Sequence, residues 1–381
     1  RLLGSASQLV RAEACASLAR MGERGAAFAE EVSYLQSTDC FYEVQDAASL
    51  ALEAMLRAEP QAIAATEGAA REALPVALLF PGQGSQYVGM LKDVQEMPAV
   101  KEMLDKAAHI LGYDVLELCL NGPEERLEST RFCQPCMYIA GLAGVEVLRR
   151  ERPDLVERAR AVAGLSLGEY TALTVAGVFS FEEGLRLVKL RAEAMQEAAE
   201  SSPQLMASVA GLDEATLSRL CRESAQPGET CKVANFLFPN GFSCAGSKAA
   251  IERLVEKAQA ANALQAKVLK TSGAFHTDLM SPAKAKLLRA LEDSKAVISA
   301  PKCDVYLNVT GKRFAAGSDP SHLLPLLADQ LCSCVLWEPS MRLLISDGIK
   351  EFYECGPMKQ LKAMQKRIDQ EAWKNTTNMH V

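Results

Sequence analysis

Three residues of this 381-residue chain stand where their types could do chemistry: Ser166, His276 and Arg191. Ser166 lies between two glycines in Gly164-Leu165-Ser166-Leu167-Gly168, after the run Arg160–Ala163 and before the helical pattern Glu169–Ala176. On a strand-to-helix turn such a serine is held in a sharp, strained conformation that projects its hydroxyl, and the next helix offers N–H groups to an oxyanion. That geometry makes a nucleophile. Lipases, esterases and proteases share the pattern, so it names no reaction alone.

His276 sits in Gly273-Ala274-Phe275-His276-Thr277, after the apolar stretch Ala263–Leu269 and ahead of a helix expected to carry Leu279, Met280, Leu287, Leu288 and Leu291. The chain holds four histidines, and this one occupies a turn from which a general base reaches a serine. In the helical pattern Phe181–Ala199 the polar face reads Arg186, Lys189, Glu193, Gln196 and Glu200. Arg191 stands instead three or four residues from Leu187, Val188, Ala194 and Met195, on the apolar face. A guanidinium there needs an anion: a protein carboxylate, a ligand, or water reached by snorkelling. Beside a nucleophile it reads as a clamp for a carboxylate, which its planar fork matches.

Together with Phe80-Pro81-Gly82-Gln83-Gly84-Ser85-Gln86 after the strand Pro75–Leu79, these motifs resemble those of malonyl-CoA:acyl carrier protein transacylases, in order and spacing, from about Leu74 to about Arg367. The wording around Ser166 and Arg191 is similar to the discrete enzymes of type II fatty acid synthesis, plastid ones included. The resemblance implies that Ser166 is acylated by malonyl-CoA, that His276 takes its proton and later activates the phosphopantetheine thiol of acyl carrier protein, and that Arg191 holds the malonyl carboxylate. It implies an oxyanion hole from the backbone N–H groups of Gln83 and Leu167, and a main-chain carbonyl at Gln330 to orient the histidine. Asn308 and Asn235 match positions near the family's site, though such asparagines are often turn residues. Phe275, where acyltransferases that prefer methylmalonyl units tend to have Ser, favours the smaller malonyl group, by about 1–3 kcal/mol for one methyl. Leu165 replaces a histidine of many bacterial members. The glycines at 82 and 84 also invite a reading as a phosphate cradle, but no Lys-Ser/Thr follows and Tyr87 takes the place of a third glycine.

Elements to position these residues alternate along the chain. Strand-like runs (Val76–Phe80, Ala161–Gly164, Val305–Asn308, Glu351–Cys355) separate helical patterns (Val100–Leu111, Met137–Arg150, Gly168–Ala176, Glu182–Ala199, Leu323–Leu331, Met358–Arg367), which suggests an α/β fold with a helix-covered parallel sheet. Residues 205–271 read strand, helix, strand, strand, helix, strand, a ferredoxin-like order. The expected plan is an α/β-hydrolase-like large subdomain (74–204 and 272–381) with an inserted ferredoxin-like small subdomain (205–271), forming an acyltransferase domain over 74–381. Before it, Val10–Met21 and Val44–Met55 align at an offset of 34 residues and suggest HEAT-like helical repeats over 1–60, with a linker at 61–73.

Net charge −7 and 49% hydrophobic residues suggest a soluble protein and give no basic excess for nucleic acid. No run of about 18 apolar residues spans a membrane. The twelve cysteines are scattered, without a second pair at metal spacing for Cys133 and Cys136, so free thiols and no metal are expected. The expected setting is an intracellular reducing compartment, a plastid by resemblance or else the cytoplasm. The chain does not begin with Met, so a targeting signal is outside this reading. Malonyl-CoA and phosphopantetheinylated carrier are the expected partners, coenzyme A thioester serves as substrate with no cofactor, and the repeats suggest a protein partner. Two rivals stay open: a serine hydrolase or thioesterase that releases the acyl group to water, and a helical-repeat scaffold with an inactive acyltransferase-like domain.

Overall fold

In the computed structural model of the chain, residues 8–20, 32, 35, 44, 45, 47–51, 73–271 and 273–381 are described, and the chain divides into two units, Arg1–Glu72 and Ala73–Val381. In the first, the helix Gln8–Arg20 and helical residues 44, 45 and 47–51 fall on the two stretches that match at offset 34; Cys15, Val32, Val44, Ala48 and Ala51 share a buried cluster. Apart from Val32 and Leu35, the other positions of the expected repeats, and residues 61–72 of the linker, lie outside the described residues.

The strands of the second unit are β1 (Leu74–Phe80), β2 (Ala159–Gly164), β3 (Gln204–Ala210), β4 (Cys231–Phe238), β5 (Gly241–Ser247), β6 (Gln265–Val268), β7 (Asp304–Tyr306), β8 (Arg313–Phe314), β9 (Val335–Leu336), β10 (Glu351–Cys355) and β11 (Thr376–Met379). One sheet has the order β11-β10-β1-β2-β7-β8, parallel except for the β7–β8 hairpin edge. A strand buried on both faces must be apolar throughout, which is why β1 reads as an unbroken apolar run. Its side chains alternate: Val76, Leu78 and Phe80 join a core with Tyr138 and Ile139 of the helix Thr130–Glu151, whereas Ala77 and Leu79 join one with Trp337, Met341 and Leu361.

A second sheet, β6-β3-β5-β4-β9, is antiparallel through β4, with the helices Glu214–Ser224 and Lys248–Ala260 packed on it through Leu217, Leu220, Ile251 and Leu254. Its first four strands and two helices come in the order expected for 205–271. The fifth strand, β9, arrives from far along the chain and pairs parallel to β4. It ties the segment after residue 330 to this sheet.

Several element boundaries differ from expectation, and three of the differences bear on the site. The helix expected from Met137 begins at Thr130 and contains Pro135. Proline here forfeits the N–H that would reach the Arg131 carbonyl, which is why it reads as an end, yet the helix runs through it and Cys133, Gln134, Cys136 and Met137 are all buried. Leu279 and Met280 form a 3₁₀ turn, Asp278–Met280, before the helix Ser281–Asp293 that Pro282 opens. The helix Leu323–Asp329 stops two residues short of Leu331, which makes Gln330 its C-terminal cap. Its carbonyl is therefore available to another group.

Candidate active site

Ser166 has φ 54°, a left-handed conformation that costs an L-residue roughly 1–2 kcal/mol. The glycines on either side make the turn sterically possible. A Cβ on Gly164 would stand 1.9 Å from the Gly168 carbonyl oxygen, and one on Gly168 would stand 2.1 Å from that of Phe80. Asn308, just beyond β7, holds the strained turn from the neighbouring strand: its Oδ1 accepts from the Ser166 N–H at 2.7 Å and its Nδ2 donates to the Gly164 carbonyl at 2.7 Å. It acts as a clamp on the elbow.

His276 also has positive φ, 63°, and its Nε2 lies 2.9 Å from Ser166 Oγ. Its Nδ1 lies 2.7 Å from the Gln330 carbonyl, which can only accept, so Nδ1 carries the proton and Nε2 is left to receive the serine's. Burial pushes the imidazole pKa down to about 4, against the raising effect of that carbonyl. The ring is neutral at pH 7 and in the tautomer a base requires.

Arg191 is fully buried in the helix Phe181–Glu200. Nη1 donates to Gln134 Oε1 at 2.6 Å, and Nη2 donates to Gln330 Oε1 at 2.7 Å and to Ser166 Oγ at 3.1 Å. The guanidinium carbon lies 5.5 Å from the centre of the Tyr170 ring, and Nε has no partner among the described residues. Uncharged oxygens thus hold the cation beside the Ser166 hydroxyl, and burial lowers its pKa. The expected need for an anion is met within the protein only at one remove, by Glu169.

Glu169 escaped the sequence reading, as did Gln134. It sits in the first turn of the helix Gly168–Val175 and is 2% exposed. Oε1 accepts from the Asn308 N–H at 2.8 Å, and Oε2 accepts from Gln330 Nε2, which also donates to the Ser166 carbonyl at 2.9 Å. Burial raises its pKa to about 7, although those hydrogen bonds and Arg191 pull the other way. Nothing in a Gly-Glu-Tyr sequence says that a carboxylate on a helix N-terminus will be enclosed.

A cavity of about 150 Å³ opens on these groups, with Gln83, Leu165, Ser166, Leu167, Arg191 and His276 on one side and Met206, Asn235 and Leu237 of the second sheet on the other. The loop after β1 closes on the elbow: a Cβ on Gly82 would stand 2.5 Å from the Leu165 carbonyl oxygen. Gln83 is tethered through Nε2 to Thr130 Oγ1 at 3.3 Å, and Leu167 precedes the helix Gly168–Val175. Phe275 forms part of the wall, and Asn235 is bonded across the sheet to Ser243 Oγ. Of the sequence-derived residues, Asn308 and Gln330 stand behind the wall and act through Ser166, His276 and Arg191. Gln360 and Met364 also line the cavity, with nothing in their local sequence to mark them.

Hydroxyl, neutral base and buried cation converge as a serine acyl-transfer site would require. The acyl transferase domain family matches residues 77–362, and the chain belongs to that family. It is similar to the human mitochondrial malonyl-CoA-acyl carrier protein transacylase, 41% identical over 316 residues that make up 80% of each chain. Among solved structures it resembles the malonyl-CoA:acyl carrier protein transacylase of Xanthomonas oryzae, with a TM-score of 0.75 and 34% identity over 81% of this chain and 96% of that one. A second, with a TM-score of 0.72 and 34% identity over 80% and 94% of the two chains, is a malonyl-transacylase in complex with its type II PKS acyl-carrier protein.

Proposed function

We propose that the chain transfers the malonyl group of malonyl-CoA to the phosphopantetheine thiol of acyl carrier protein through a malonyl ester of Ser166, for fatty acid or polyketide synthesis. The observation that carries this reading is Arg191, a buried guanidinium donating to Ser166 Oγ itself at 3.1 Å. A generic esterase has no use for a cation there. The names of the relatives support the same substrate and carrier.

In the first half-reaction Ser166 Oγ attacks the thioester carbonyl while His276 Nε2 takes its proton. The developing oxyanion is held by the Gln83 and Leu167 N–H groups, a role worth about 3 kcal/mol per donor in comparable sites. The carbon–sulfur bond then breaks and His276 returns the proton to the coenzyme A thiol. The second half-reaction reverses this with the carrier's thiol as nucleophile. Arg191 holds the malonyl carboxylate throughout, Phe275 limits the space beside its α-carbon, and Asn308, Gln330 and Asn235 support the walls. Each of these groups belongs to the chain, so the exchange is read as needing no cofactor or metal, with coenzyme A thioester as substrate.

The domain reading that goes with this is an acyltransferase domain over 74–381, with an α/β-hydrolase-like large subdomain and a ferredoxin-like small one at 205–271. HEAT-like repeats over 1–60, joined by a linker at 61–73, would offer a surface to a protein partner. The cysteines of the second unit are thiols, in keeping with a reducing intracellular compartment; the plastid assignment rests on the wording around Ser166 and Arg191. Intact-protein mass after mixing with malonyl-CoA, followed by phosphopantetheinylated carrier, tests the reading. A malonyl adduct should form on the wild type, be absent from Ser166→Ala, and leave with the carrier. Persistence of the adduct in Ser166→Ala would remove the nucleophile, release to water alone would make the protein a hydrolase, and no adduct at all would leave the scaffold.

A further inference from the structure

We propose that Glu169 is the counter-charge of Arg191 and takes up a proton when a carboxylate-bearing acyl group is placed on Ser166, so that the buried site keeps the same net charge empty and loaded. This rests on the malonyl-transfer reading above. The geometry is that of a hub. Through Asn308 the Glu169 carboxylate meets the residue that clamps the Ser166 turn. Through Gln330 it meets the residue whose Oε1 holds Arg191 and whose carbonyl holds His276. It also sets which way the Gln330 amide faces: with Nε2 toward Glu169 and the Ser166 carbonyl, Oε1 must face Arg191.

The groups that face Glu169 are few. Arg191 comes from the helix Phe181–Glu200, the Asn308 and Gln330 amides are uncharged, His276 stands one residue further off and is neutral, and Tyr170 on its own helix has a pKa raised by burial. Among the described residues, the site therefore holds one cation and one ionisable carboxyl of its own. A malonyl carboxylate on Arg191 adds a second negative charge to a site that water hardly reaches, and two carboxylates cannot share one buried cation at low cost. One must take a proton. The acyl carboxylate keeps its direct contact with the guanidinium, whereas Glu169, already pushed to about 7, is the group that yields. The acyl exchange itself moves no net proton, because the serine's proton leaves on the coenzyme A thiol. Any uptake belongs to the site.

The experiment mixes wild-type protein with excess malonyl-CoA in weakly buffered solution containing a pH indicator, with Ser166 acylation read in parallel by intact mass. If the second carboxylate raises the Glu169 midpoint by only about one pH unit, about half a proton per acylated serine is taken up at pH 7.5. In Glu169→Gln acylation slows, since the Gln330 amide loses its acceptor, but the adduct forms without proton uptake. Full acylation of the wild type with no uptake, or equal uptake in Glu169→Gln, would overturn the proposal. A second measurement needs no variant: the apparent affinity of the wild type for malonyl-CoA should rise as pH falls from 9 to 7, whereas a flat dependence would overturn the coupling. Absence of the Ser166 adduct at every pH would instead count against malonyl transfer itself.

Discussion

Replacing Arg191 by Ala tests what the buried guanidinium is for. Within the protein its hydrogen-bond acceptors are two amide oxygens and the serine hydroxyl, none of them charged. Malonyl supplies an anion in direct contact, where Glu169 acts only at one remove, and truncating one partner of a desolvated, hydrogen-bonded charge pair costs about 2–5 kcal/mol. Taking about 3 kcal/mol, kcat/KM for malonyl-CoA should fall about 150-fold, at roughly 1.4 kcal/mol per decade. Acetyl-CoA presents no carboxylate, so its kcat/KM should change by less than about threefold and the malonyl-to-acetyl ratio should drop by about two decades. Competition of the two thioesters for Ser166, read as the ratio of adduct masses at early times, measures this ratio directly. A folded variant with an unchanged ratio would refute the clamp and make Arg191 a purely structural tie between Gln134 and Gln330.

Removal of the His276 base by Ala should slow acylation by two to four decades while leaving malonyl-CoA binding within about threefold, as rapid-quench and equilibrium binding would separate. Because burial holds this imidazole at about 4, the acid limb of the acylation rate should lie near there, and a midpoint at 6.5 would contradict the enclosed geometry. The same depression means that His276 adds stability above pH 6.5 that is lost as pH falls toward about 4, which thermal unfolding of wild type against His276→Ala would register. Gly164→Ala has no room for its methyl, 1.9 Å from the Gly168 carbonyl oxygen, and should cost more than about 3 kcal/mol in urea unfolding or abolish folding. A truncated chain beginning at Ala73 should fold and keep its malonyl transfer rate to free carrier; a large loss of rate or solubility would make the first unit a structural part of the enzyme.

Ser166, His276 and Arg191 were legible because each carries its signal locally. A serine between glycines, a histidine in a turn and an arginine on an apolar helix face are visible within one or two helical turns of sequence. The order of strands and helices over 205–271 was legible for the same reason, since period-2 and period-3.6 patterns lie along the chain. Gln134 was hidden behind Pro135, which reads as a break but falls inside the helix Thr130–Glu151. Glu169 was hidden because a carboxylate in a first helical turn is ordinarily a solvated partner of the helix dipole. β9 was hidden because two residues have no period.

What the sequence determined by itself is which groups are candidates, Ser166, His276 and Arg191, and the local strain that presents the serine. Steric exclusion at Gly164 acts between residues four apart, so it is written in the motif, whereas at Gly168 it acts against the Phe80 carbonyl of the neighbouring strand β1. Tertiary structure decided the charge states and orientations of those groups. Arg191 meets Gln134 from 57 residues away and Gln330 from 139 away, and His276 meets Ser166 across 110. The neutral imidazole and the raised pKa of Glu169 come from exclusion of water, and water is excluded only once both sheets and their helices have packed around the cavity. Desolvation is a property of the whole enclosure, which no stretch of the chain contains alone.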